Sequence, residues 1–227
     1  MKQIFPRLAI ATVLAAGCMG VHAAETANLT VDGRVKPASC DITLSNGGVV
    51  DYGNIIASDL NAANYTVLEE RNIKLSINCD APAKIAMQFS DSKRDSRIFS
   101  FSSEGGVKLL RSDNNFRLAG LGLNGDKKIG AYAAILRDVT VDGVVVEHLG
   151  RPSGRATWER GAGTVNIVGD VPTDIAWTSR GQSTPIAGKV FAGELSVQAV
   201  VNKSGDIGPL TNEITLDGKA TLTLVYL

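Results

Sequence analysis

The 227-residue chain reads as an all-β protein, a sandwich assembled from many short strands. Three observations predict this class. Apolar and polar residues alternate with period two through most apolar segments. The segments are separated by turns rich in glycine, of which there are 24, and in Asp-Gly pairs. Long stretches with the three- and four-residue spacing of an amphipathic helix are absent. Many short strands with glycine-rich turns favour two packed sheets.

The elements follow in order. Met1–Ala23 has the layout of a secretory leader: Lys2 and Arg7 at the front, an apolar run over 8–16 too short to span a bilayer, and small residues around Ala23. Cleavage is expected after Ala23, with Ala24 as the alternative. The stretch before Cys18 loosely matches a lipidation box, but that box wants Leu three residues before the cysteine, and Leu14 stands four before it. An exported product is therefore expected. Loss of Lys2 and Arg7 with the leader leaves 21 basic residues against 23 acidic, with no basic run, which argues against a nucleic-acid partner.

Residues 24–36 form a short extension before the main domain. Ala27, Leu29, Val31, Gly33 and Val35 fall on one face of an extended chain and Thr26, Asn28, Thr30, Asp32 and Arg34 on the other. Next come two strands carrying Cys40 and Cys79. Cys40, Ile42 and Leu44 share a face, as do Ile73, Leu75, Ile77 and Cys79. Cys40 and Cys79 are the only thiols left after the leader, and an oxidising compartment favours a bridge between them. Two cysteines and the single mature histidine, His148, supply too few ligands for a metal site.

Further strands are expected at 84–90, 98–102, 107–110, 129–136, 164–168, 174–178 and 194–201, with a short helical turn within 58–65. Asp142-Gly143, between two β-branched runs, is a hairpin signal, and Asp217-Gly218 is expected to act likewise before the last strand. Residues 91–130 and 150–190 read as long loops, or as an insertion at about 91–190. The chain closes on an alternating strand with Leu222, Leu224 and Tyr226 on one face and Thr221, Thr223 and Val225 on the other. A terminal strand this apolar needs a partner on its open edge.

The leader, the alternating extension with Gly33, the Cys40/Cys79 pair and the apolar end with penultimate Tyr226 together resemble subunits of chaperone–usher fimbriae, the pilins. They also resemble a group of uncharacterised fimbrial-like exported proteins. The likeness covers about residues 24–90 and 190–227, and it departs at Ile214, where pilins often carry glycine. It implies an immunoglobulin-like sandwich over 37–227 that lacks its final strand. It implies a cleft beside Leu222, Leu224 and Tyr226 that a periplasmic chaperone fills first. The 24–36 extension of a neighbouring subunit, led by Leu29 and Val31, then replaces the chaperone at an outer-membrane usher. Such contacts run head to tail and do not close, giving a filament. This reading expects a structural, adhesion-related subunit with no enzyme activity, no cofactor and no small-molecule substrate, in the periplasm in transit and then at the cell surface. Three rivals stand beside it: a self-contained monomeric periplasmic sandwich, a carbohydrate-binding tip adhesin using Trp158 or Trp177, and an exported hydrolase using His148 or scattered carboxylates.

Overall fold

A computed structural model describes residues 27–98, 107, 109–110, 118–161, 165–168 and 171–227. The strands are Cys40–Leu44 (β1), Thr66–Val67 (β2), Arg71–Ala83 (β3), Ile85–Asp91 (β4), Ala119–Gly120 (β5), Leu123–Asn124 (β6) and Lys127–Lys128 (β7). They continue with Gly130–Val141 (β8), Val144–Val145 (β9), Glu147–Pro152 (β10), Glu159–Gly161 (β11), Val165–Asn166 (β12), Thr173–Thr178 (β13), Gly188–Val201 (β14) and Ala220–Tyr226 (β15). Helical structure among the described residues is limited to 3₁₀ turns at Ser45–Gly48, Ala57–Asp59 and Arg94–Ser96. The second of these meets the turn expected within 58–65. The protein is all-β, and the predicted sandwich is what forms.

The chain divides into two units, Met1–Lys36 and Pro37–Leu227. In the first, residues 27–36 carry no regular secondary structure and are exposed, with Leu29 90%, Val31 86% and Val35 fully open to solvent. The second holds two large sheets and the two-stranded β6–β7 ribbon. One runs β1-β3-β14-β8-β12, with β2 against β14 and both β5 and β9 against β8. The other runs β11-β10-β13-β4-β15. Every pairing is antiparallel.

Alternation decides what enters the space between the sheets. β3 contributes Ile73, Leu75 and Ile77, β14 Phe191 and Leu195, and β8 Tyr132 and Leu136; Ile85 and Met87 of β4 and Ile175 and Trp177 of β13 meet them. Trp177 is 1% exposed and its ring lies 5.2 Å from that of Phe191, locking β13 to β14 across the gap. Each large side chain buried here is worth roughly 1.5–3 kcal/mol.

β8 is apolar on both faces because both are covered. Ala131, Ala133 and Ile135 point outward and pack with Val107, Leu109, Leu110 and Leu118. Residues 107–110 were expected to form a strand. Instead, Val107 and Leu109 lie outside any strand and Leu110 sits in a turn with φ 53°. Their apolarity serves this second cover, and a short apolar run does not reveal which use it will have. Of the strand expected at 98–102, only residue 98 lies within the described residues, in a bend.

Among its described residues, the stretch 91–190 supplies strands to both sheets, β8 being paired to β14 along ten positions. The Asp142-Gly143 hairpin forms as expected, with φ of 51° and 81° joining β8 to β9. Asp217-Gly218 does not. No strand precedes it, and Gly218 lies against the Tyr132 ring while the Asp217 N–H donates to the Leu121 carbonyl. Its partner is therefore distant in sequence, which a dipeptide signal cannot convey.

A cleft between two open strand edges

Cys40 and Cys79 are directly opposed in the β1–β3 pairing and form a disulfide. Their Cα atoms are 4.0 Å apart, the narrow spacing of an antiparallel pair that exchanges no backbone hydrogen bonds. By alternation Cys40, Ile42 and Leu44 aim their N–H and C=O groups away from β3. At the other sheet's edge, the Leu227 N–H donates to Lys84 O (3.0 Å) and the Ser92 N–H to Lys219 O (2.9 Å). Odd positions of the terminal segment therefore bond toward β4. Ala220, Leu222, Leu224 and Tyr226 turn their backbone groups outward. Among the described residues, β1 pairs only with β3 and β15 only with β4.

An apolar cleft lies between these edges. Its inner part, about 350 Å³, is floored by Phe89, Tyr132 and Leu195 and walled by Leu44 and Val50 on one side and Leu222 on the other. Among the described residues, no charged side chain lines it. The outer part, about 650 Å³, continues between residues 49–57 and 207–216, sharing Val49, Val50, Tyr52 and Leu216 with the inner part. One wall continues past β15: Leu216, Gly218, Ala220 and Leu222 border the inner part at alternate positions, and residues 212–216 all border the outer part. The alternation expected from Ala220 onward thus begins earlier, at Leu216. The opposite wall, 49–55, carried no pattern that marked it.

Two tyrosines shape the cleft. The Tyr52 hydroxyl donates to Val197 O (3.3 Å) and accepts the Ala199 N–H (3.1 Å), tying the 49–55 wall to β14. Burial raises its pKa, against the lowering pull of the Ala199 bond. Tyr132 is also held up, by burial first and by the Asp91 charge second. Both hydroxyls stay neutral at physiological pH, so neither adds charge to the inner part, whereas Asp51 and Glu213 border the outer part.

Leu222 and Leu224 are half-buried and pack on the inter-sheet core. Tyr226 is 51% exposed and its hydroxyl accepts the Cys40 N–H at 2.7 Å, bridging the two sheet edges at one end of the cleft. Ala27, Leu29, Val31, Gly33 and Val35 belong to the exposed first unit.

The back of the second sheet carries a polar clasp. Asp174, 2% exposed, accepts hydrogen bonds from Gln88 Nε2 (2.7 Å), Ser153 Oγ (2.7 Å) and Arg151 Nε (3.0 Å). Burial works to raise its pKa, but these three donors prevail and hold the carboxyl below its ordinary value. The Arg151 guanidinium stacks 4.1 Å from the centre of the Trp158 ring. Trp158 is partly buried in that packing and Trp177 lies fully in the core, so of the two only Trp158 keeps exposed surface. His148 sits in β10 opposite Trp177 and Gly161, so close to Gly161 that a Cβ there would fall 1.9 Å from His148 Nε2.

A family described as "Protein of unknown function (DUF1120)" matches residues 29–133, just under half of the chain and including β1, β3 and β4. "Uncharacterized protein YhcF" of Escherichia coli (strain K12) is 28% identical over 226 residues, covering 92% of this chain and 94% of its own. "Protein GltF" of the same organism is 26% identical over 241 residues, covering 95% of this chain and 94% of its own. Along nearly its whole length, then, the chain is similar to YhcF and GltF.

Proposed function

We propose that this protein is a structural subunit of a surface fimbria, exported through its leader, escorted by a periplasmic chaperone and assembled head to tail at an outer-membrane usher by strand addition. It acts without catalysis or cofactor. The observation that carries the reading is the cleft between two sheet edges, its inner part lined by uncharged residues among those described, where the outward backbone groups of both edges lack a strand partner among the described residues. An added strand would satisfy Ile42 and Leu44 on one side and Ala220, Leu222 and Leu224 on the other. Its inward side chains must be apolar. Residues 27–35 answer that need: Ala27, Leu29, Val31, Gly33 and Val35 alternate with polar neighbours, and the three largest are fully solvated. The chosen occupant is therefore this segment from a second copy, each copy offering one strand and one cleft.

The test is periplasmic expression with a chaperone of this class, followed by electrophoresis without boiling. Ladders of denaturant-resistant multimers are expected, and deletion of residues 24–32 should abolish them while the disulfide-bonded domain still accumulates. Monomer alone in the presence of chaperone, or ladders that survive the deletion, would overturn the proposal.

A further inference from the structure

Resting on strand addition at this cleft, we infer that Tyr226 is a register stop: its hydroxyl occupies the Cys40 N–H and ends the ladder available to an added strand at Ile42. The narrow Cys40–Cys79 pairing turns the backbone groups of Cys40, Ile42 and Leu44 toward the same open edge. Of these three positions, Cys40 has its N–H already bonded, to Tyr226 Oη at 2.7 Å. Opposed sheets stand about 10 Å apart, and Tyr226 spans the gap at the end where β15 meets Ile85. At the other end the cleft widens into the larger chamber between residues 49–57 and 207–216. One end is bridged and the other open.

A strand sliding toward Cys40 must break the tyrosine bond to gain the next ladder position. A slip of two residues would keep every side chain on its own face. Alternation alone therefore does not prevent it; a cap on the edge does. Tyr226 thus works as a positioning residue that rejects the two-residue slip.

The experiment uses the full exported chain and a synthetic peptide of residues 24–36 carrying a photoreactive leucine analogue at position 29. Cross-link position and amide exchange are both read. In the wild type, the peptide should protect the Ile42 amide and cross-link at one site. In Tyr226→Phe, the free protein should exchange the Cys40 amide at least about tenfold faster. Added peptide should then protect that amide, with a second cross-link two residues nearer Cys40. Thr43, bonded to β3, reports that β1 stays in place, and Y226L repeats the test if Thr43 loses protection. An identical single cross-link in wild type and both variants, with Ile42 protected throughout, would overturn the register stop and leave strand addition standing. Failure of the peptide to protect Ile42 in the wild type would overturn strand addition itself, and the stop with it.

Discussion

Replacing Asp174 by Asn should cost about 2–4 kcal/mol at neutral pH and lessen the loss of stability as the pH falls below the ordinary aspartate range. The carboxylate is 2% exposed and collects three donors from two neighbouring strands and the turn beyond one of them: Gln88 on β4, Arg151 on β10 and Ser153. Bonds to an ionised partner contribute roughly 1.5–3 kcal/mol each before the cost of burying the charge. The asparagine keeps one acceptor oxygen but loses the charge, leaving Arg151 without its counter-ion in a site where that side chain is 19% exposed. The folded pKa is depressed relative to about 3.9 for an unfolded aspartate. The stabilisation is therefore fully present above the unfolded value and disappears as pH falls through the folded one. The assay is urea unfolding at pH 7, 4, 3 and 2.5. Wild-type stability should fall across the acid range and the variant's should fall less, the gap between the two curves narrowing as pH drops. Parallel curves, or a variant within 0.5 kcal/mol of wild type at pH 7, would refute the argument that this carboxylate clamps β4, β10 and β13. Because β4 is the one strand that β15 pairs with among the described residues, loss of the clamp should also reduce amide protection along β15.

Three further outcomes are expected. Cys40→Ser with Cys79→Ser opens a loop of 39 residues and should lower stability by about 4 kcal/mol in the chain-entropy account; an unchanged denaturation midpoint would count against the bridge. Trp177→Ala should cost about 3–5 kcal/mol, since its ring is fully buried against Phe191. Trp158→Ala, which removes only a partly buried ring and its Arg151 contact, should cost about 1 kcal/mol, and calorimetry showing equal losses would contradict this placement. Gly120→Ala should prevent accumulation of folded protein, because a Cβ there would stand 2.0 Å from the Lys93 carbonyl oxygen; a soluble variant with wild-type melting would show that the Arg94–Ser96 turn can yield.

Local pattern carried much of the fold. β1, β3, β4 and β15 are paired almost where alternation puts them, and the inward faces of Ile73, Leu75 and Ile77 and of Leu222 and Leu224 follow from side-chain periodicity alone. The Asp142-Gly143 turn was equally legible, because a two-residue hairpin demands positive φ at both positions. Legibility ended wherever a residue's role depended on something distant in sequence. Val107 and Leu109 look like strand residues, yet they cover the back of β8. Asp217-Gly218 looks like a hairpin, yet it packs on Leu121 and Tyr132. Asp174 looked like one scattered carboxylate among many until Gln88, Arg151 and Ser153 met it.

The sequence by itself determined that the chain is built from strands, which faces of those strands are apolar, and which two cysteines join, since all of these depend on near neighbours and on the period of the extended backbone. Only the tertiary structure decided that β1 and β15 stand at the edges of opposite sheets with a cleft between them, that residues 49–55 supply one wall, and that Tyr226 reaches Cys40 across it. Strand order is set by which faces bury best against one another over separations of a hundred residues or more, and no local pattern encodes that choice.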